Sequence, residues 1–137
     1  MTSKLVLDNL AGRTTAGSIA VVGEGNGTTT NLQQGLAKAW VSIYHNSGTP
    51  TSLDSLNIAS HVDSGTGYIN PNLTNAMANT GYSVTSAGWG QASWLDRDTG
   101  AIFISTSQYS IYNTENNGAV DCDSTHPIST TVHGDLA

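Results

Sequence analysis

From Trp40 onward, turn-forming residues break the chain at short intervals, and this spacing limits its fold more than any other feature. HNSGTP at 45–50, DSGTG at 63–67 and the glycine-bearing NTG at 79–81 each punctuate an apolar run of strand length. Gly, Pro and Asn clusters end helices and open turns, so no long helix fits between them. AWVSIYH (39–45) alternates Trp40, Ser42 and Tyr44 on one face with Val41 and Ile43 on the other. Both faces are largely apolar, which predicts a central strand, with Trp40 in the core. SLDSLNIASHV (52–62) reads as one further strand, with Leu56, Ile58, Ser60 and Val62 on one side.

YINPNL (68–73) contains Pro71, which has no N–H to give a ladder and so predicts an edge strand or a bulge. NTGYSVTSAGW (79–89), GAIFISTSQYSIYN (100–113) and ISTTVHGD (128–135) supply the remaining strands. TNAMANTG (74–81) has room for one helical turn, and DRD (96–98) followed by Thr-Gly reads as a hairpin turn. Seven or eight short strands of this kind predict an all-β fold, an antiparallel β-sandwich or jelly-roll-like domain.

The first 36 residues differ in character. KLVLDNL (4–10) and SIAVV (18–22) are strand candidates separated by AGRTTAG, and glycine-rich GEGNGTTT (23–30) follows. A two-stranded element is marginal alone in water, so residues 1–36 are expected to be an arm that folds against something else. Asn31 to Lys38 reads as a short helical connector into a β domain over 37–137.

Composition bears on how that domain is stabilised. Ten Leu, eight Ile, eight Val and one Phe make only 27 of 137 residues, while Ser, Thr, Asn and Gly make 61. So thin an apolar supply leans towards several copies sharing a core. The four basic residues, Lys4, Arg13, Lys38 and Arg97, are scattered through a chain of net charge -6, which argues against nucleic-acid binding. Cys122 has no second cysteine to pair with. No apolar run reaches the roughly 20 residues of a membrane span, and the first residues lack the apolar stretch of a secretory leader. The chain is expected to be made in a cytoplasm and not to enter a membrane.

No set of residues points to chemistry. His45, His61, His126 and His133 lack the close spacing of metal ligands, and DCDSTH (121–126) lacks the further bidentate Glu of a calcium loop. No metal or cofactor is expected. The chain has no GxSxG elbow, and both glutamates, Glu24 and Glu115, fall in loop-like sequence, so an enzyme is not expected. The aromatics say more. GWGQASWLD (88–96) sets Trp89 and Trp94 beside Gln91, and a second loop carries Asn116, Asn117, Asp121 and Asp123. Flat rings beside amides and carboxylates suit the faces and hydroxyl edges of sugars, which makes these seven the candidate ligand contacts.

Three blocks carry a resemblance. NLQQGLAKAWVSIYHNSG (31–48), VDSGTGYINPNLTNAMANTGYSV (62–84) and STTVHGDLA (129–137), in that order, resemble a domain of tail-fibre and related appendage proteins of tailed bacteriophages. The likeness covers roughly residues 30 to 137. It departs at Pro71 and in TENNGAVDCDSTHP (114–127), which puts the ligand rather than the fold in question. The resemblance implies a homotrimeric fibre or spike in a virion, with NLQQGLAKA bringing three chains together at their common axis. Leu5, Leu7, Leu10, Ile19, Val21, Leu32 and Leu36 then become the expected assembly and attachment residues, facing sister chains or other virion proteins. Two functions follow as expectations: a short tail fibre or spike that touches a host-surface glycan, or a head fibre or tail or collar adaptor with a structural role.

Overall fold

Ala39, Val41, Ile43 and His45 are buried while Trp40, Ser42 and Tyr44 between them are only half-buried, so the strand with two apolar faces has one true core face. Trp40 lies on the other face, contrary to expectation. The computed structural model describes residues 4–13, 19–22, 29–46, 49–88, 97–115, 118–120 and 127–137. The chain divides into two compact units, Met1–Leu36 and Ala37–Ala137.

In the first unit, β1 (Ala20–Val22) pairs antiparallel with β2 (Thr29–Asn31). One helical turn, α1 (Leu32–Gly35), follows directly, and the Leu32 N–H donates to the Ile19 carbonyl at 2.9 Å. The expected helix is therefore shorter than Asn31–Lys38 and stops at Gly35, a poor helix residue. Residues 4–10 form no strand, because no described segment of this unit pairs with them. Leu5, Leu7 and Leu10 are exposed, as are Val21 and Leu36, while Ile19 and Leu32 are half-buried.

The second unit is an antiparallel β-sandwich. Its strands are β3 (Ala39–Asn46), β4 (Thr49–Leu56), β5 (Ile58–Asp63), β6 (Tyr68–Leu73), β7 (Ser83–Gly88), β8 (Arg97–Phe103), β9 (Tyr109–Glu115), β10 (Gly118–Ala119) and β11 (Ile128–His133). One sheet runs β4-β3-β11-β7. In the other, β5 pairs β6, β6 pairs β9, and β8 pairs the far edge of β9, with the short β10 sharing the β6 edge. Alternation aims Val41 and Ile43 of β3 and Ile128, Thr130 and Val132 of β11 at Ile69, Pro71 and Leu73 of β6 and Tyr109 and Ile111 of β9. Burial of these central strands on their inner faces supplies the driving force, at roughly 25 cal/mol for each Å² of apolar surface removed from water.

Four expectations change here. The run 52–62 is two strands in different sheets, cut at Asn57, whose φ of 59° is left-handed. Asn tolerates that conformation better than other non-glycine residues. Its side chain also makes the corner: Nδ2 donates to the Lys38 and Asn75 carbonyls at 3.1 Å, and Oδ1 accepts from the Asn75 N–H at 2.7 Å.

Pro71 is neither at an edge nor exposed. It is fully buried in β6, between β5 and β9. Tyr68 pairs Tyr112 and Ile69 pairs Ile111, and the same register resumes at Asn72 and Gln108. The ladder is interrupted at Pro71, where an N–H is missing, so the strand keeps its interior place with a local gap.

Arg97 and Asp98 begin β8 instead of making a turn. Residues 74–81 form bends with no helical turn, pinned by the bridge of Met77 to Leu136. Met77 is buried, and its N–H donates to the Thr106 carbonyl at 2.8 Å, which ties this segment to the 104–108 turn.

Candidate functional site

The strand registers sort every connection of the sandwich to one of its two ends. Asn46 faces Thr49, and Ile43 faces Ile128, which in turn faces Gly88. In the other sheet, Asp63 faces Ile69, Arg97 faces Glu115, and Glu115 faces Gly118. Two links across the sheets align these sets: His45 Nε2 lies 3.4 Å from Asp63 Oδ2, and Gly88 abuts Thr99. The strand ends flanking 47–48, 64–67, 89–96, 116–117 and 121–126 therefore share one end, the tip. The opposite end, the base, holds the Asn57 corner, residues 74–82, the 104–108 turn and the final residues. The chain enters the sandwich at that base through Ala39.

Trp89, Gln91, Trp94, Asn116, Asn117, Asp121 and Asp123 all lie outside the described residues, as do Cys122 and His126. Their flanking strand ends, Gly88, Arg97, Glu115, Gly118 and Ile128, all belong to the tip. Gly88 ends β7, and Asn113 is a buried residue of β9. Asn113 Nδ2 donates to the Val120 carbonyl at 2.9 Å, and the Val120 N–H donates to the Asn113 carbonyl at 3.0 Å. That pair clamps the start of the 121–126 segment to the tip. Gly67 sits beneath it with φ of 76°, and a Cβ there would stand 2.6 Å from the Asn113 carbonyl oxygen.

A polar seam joins the edge strands β4 and β5, which belong to different sheets. Ser52 Oγ and His61 Nε2 share a hydrogen bond across it, and the His45–Asp63 contact lies nearby. Asp63 Oδ1 also accepts from the Gly65 N–H at 2.8 Å, which caps the β5–β6 turn. Burial holds the His61 imidazole below the ordinary histidine value, favouring its neutral form. A nucleophilic triad needs a carboxylate on the second ring nitrogen. His61 Nδ1 has no hydrogen-bond partner among the described residues, and the Asp63 carboxylate turns to His45 instead. The seam thus locks two sheet edges. Nothing in the sequence signalled it, because the crossing between sheets at Asn57 brings together residues 9 and 18 positions apart.

The described His, Cys, Asp and Glu residues form no group of three able to hold a metal ion, and no helix among the described residues is long and apolar enough to cross a membrane. No family model, curated protein or solved structure matches the chain at a significant level.

Proposed function

We propose that the protein is a structural component of a bacteriophage virion, a short homotrimeric tail fibre or spike whose tip contacts a host-surface glycan. The observation that carries this reading is the contrast between the two ends of the sandwich. The strand ends at the tip flank the segments that hold Trp89, Gln91, Trp94, Asn116, Asn117, Asp121 and Asp123. The base carries exposed apolar side chains, Phe103, Ile104, Leu56 and Leu136 among them. Contiguous exposed apolar residues mark surfaces that other protein covers. A base that docks and a tip that recognises is the division of labour such an appendage needs.

The trimer is part of the proposal. Its support is a core of eleven buried apolar side chains among the described residues, alongside exposed Leu5, Leu7 and Leu10 in the first unit. Jelly-roll-like wiring belongs here too. It is supported by the β4–β5, β6–β7 and β7–β8 connections, which cross between sheets, while the β3–β4, β5–β6 and β8–β9 hairpins stay within one. The exposed leucines of residues 1–36 also favour the second reading, a head fibre or tail or collar adaptor that only docks. Purified protein added to host cells ahead of phage separates the two. A recognition module lowers adsorption, and Trp89→Ala relieves that inhibition without moving the melting temperature. An adaptor leaves adsorption unchanged while antibody against it still labels virions.

A further inference from the structure

We infer that the outer face of the β8-β9-β6-β5 sheet is a binding platform for a neutral oligosaccharide. Three rows cross this face. The first joins Ile102, Ser110, Asn70 and Val62, the second Gly100, Tyr112 and Tyr68, and the third Gln108, Asn72 and Ser60. Tyrosine aside, none of the side chains in these three rows is an acid or base, so the rows themselves carry no ion to desolvate against a neutral partner.

Two features give the face its chemistry. Tyr68 and Tyr112 stand directly opposite on neighbouring strands, which places their Cβ atoms about 5 Å apart. Gly100 then makes room for Tyr112: a Cβ at that position would lie 2.1 Å from both Cζ and Oη of its ring. The ring therefore reaches across β8 and rests where a side chain would otherwise project. Neither tyrosine hydroxyl has a hydrogen bond to any described residue. Tyr68 remains 38% exposed. Two aromatic rings on this face, their hydroxyls unbonded to any described residue, suit the apolar faces and hydroxyl rims of sugar rings.

The amide row beside them is already ordered. Gln108 Nε2 donates to Asn72 Oδ1 at 2.6 Å, and Asn72 Nδ2 donates to Ser60 Oγ at 3.0 Å. A chain of bonds across three strands holds the amide planes fixed before any ligand arrives, so little side-chain entropy is lost on binding. A second copy of the protein would be expected to meet a more apolar surface than this mixed one.

The inference rests on the glycan-recognition reading for its biology but not for its site. The test is a calorimetric titration of the full chain with neutral hexasaccharides of glucose, mannose and N-acetylglucosamine, with mass followed by light scattering. At least one sugar binds. Tyr68→Ala and Tyr112→Ala each weaken it about five- to tenfold. Tyr68→Phe, which keeps the ring, weakens it less, and Thr51→Ala on the other sheet leaves it unchanged. Absence of binding to all three sugars overturns the platform, while the adsorption experiment still judges the fibre reading. Loss of binding on Trp89→Ala but not on Tyr68→Ala also overturns it and assigns the sugar to the tip. A change of molecular mass on Tyr68→Ala overturns it in favour of a subunit interface.

Discussion

The Tyr109 hydroxyl and Thr130 Oγ1 meet at 2.8 Å in the middle of the sandwich, both buried, tying β9 of one sheet to β11 of the other. Burial pushes the Tyr109 phenol up to about 12, with the hydrogen bond to Thr130 working in the opposite direction. The folded state thus holds this proton more tightly than the unfolded chain, whose tyrosines titrate near 10. The stability that Tyr109 contributes is complete below pH 10 and is lost as pH rises towards 12. Urea midpoints measured from pH 9 to 12 should fall across that window. In Tyr109→Phe the fall should be smaller, on a protein already weaker by about 1–2 kcal/mol because Thr130 loses its partner.

His61 gives the acid counterpart. Its folded value is lowered by burial, so the unfolded chain binds the extra proton more readily. Stability is therefore full above pH 6.5, the ordinary value, and declines as pH falls below it towards the lowered one. His61→Gln, which keeps a polar group facing Ser52, should flatten the midpoint between pH 7 and 5 relative to the wild type.

At the Asn57 corner, backbone and side chain can be separated. Asn57→Ala loses the bonds to Lys38 and Asn75 and strains the left-handed backbone, at about 2–3 kcal/mol together. Asn57→Gly relieves the strain alone and should recover about 1 kcal/mol of that in urea denaturation.

Two glycines in one turn should respond differently. Gly65 has a φ of 112° but open space around it, so Gly65→Ala costs only the backbone strain, about 1–2 kcal/mol. Gly67→Ala adds a collision with the Asn113 carbonyl and the Val120 N–H. It should cost more and release the Asn113–Val120 clamp, seen as faster amide exchange at Val120.

The strands from Trp40 onward were legible because alternation and turn residues are local signals. AWVSIYH is a central strand, between β4 and β11, although only the face of Ala39, Val41, Ile43 and His45 is core. Asn57 escaped notice because alternation runs unbroken through SLDSLNIASHV, and only the third dimension sends its halves to different sheets. Of the two readings of Pro71, the edge strand fails and the bulge comes nearer: the β5–β6 register shifts beside it between Ile58 and Ser60, and a gap in the β6–β9 ladder absorbs the missing N–H. The candidate contacts lie outside the described residues; that the strand ends flanking them share one end depends on register, which no local signal carries. The Tyr68–Tyr112 pair is a product of register as well, with 43 residues between its members.

The claim that the protein works as a trimeric appendage is tested most directly by its mass in solution. Multi-angle light scattering of the purified chain at micromolar concentration should give about three times 14.2 kDa. A monomer at that concentration, with the exposed Ile102–Ile104 run still open to water, would contradict it.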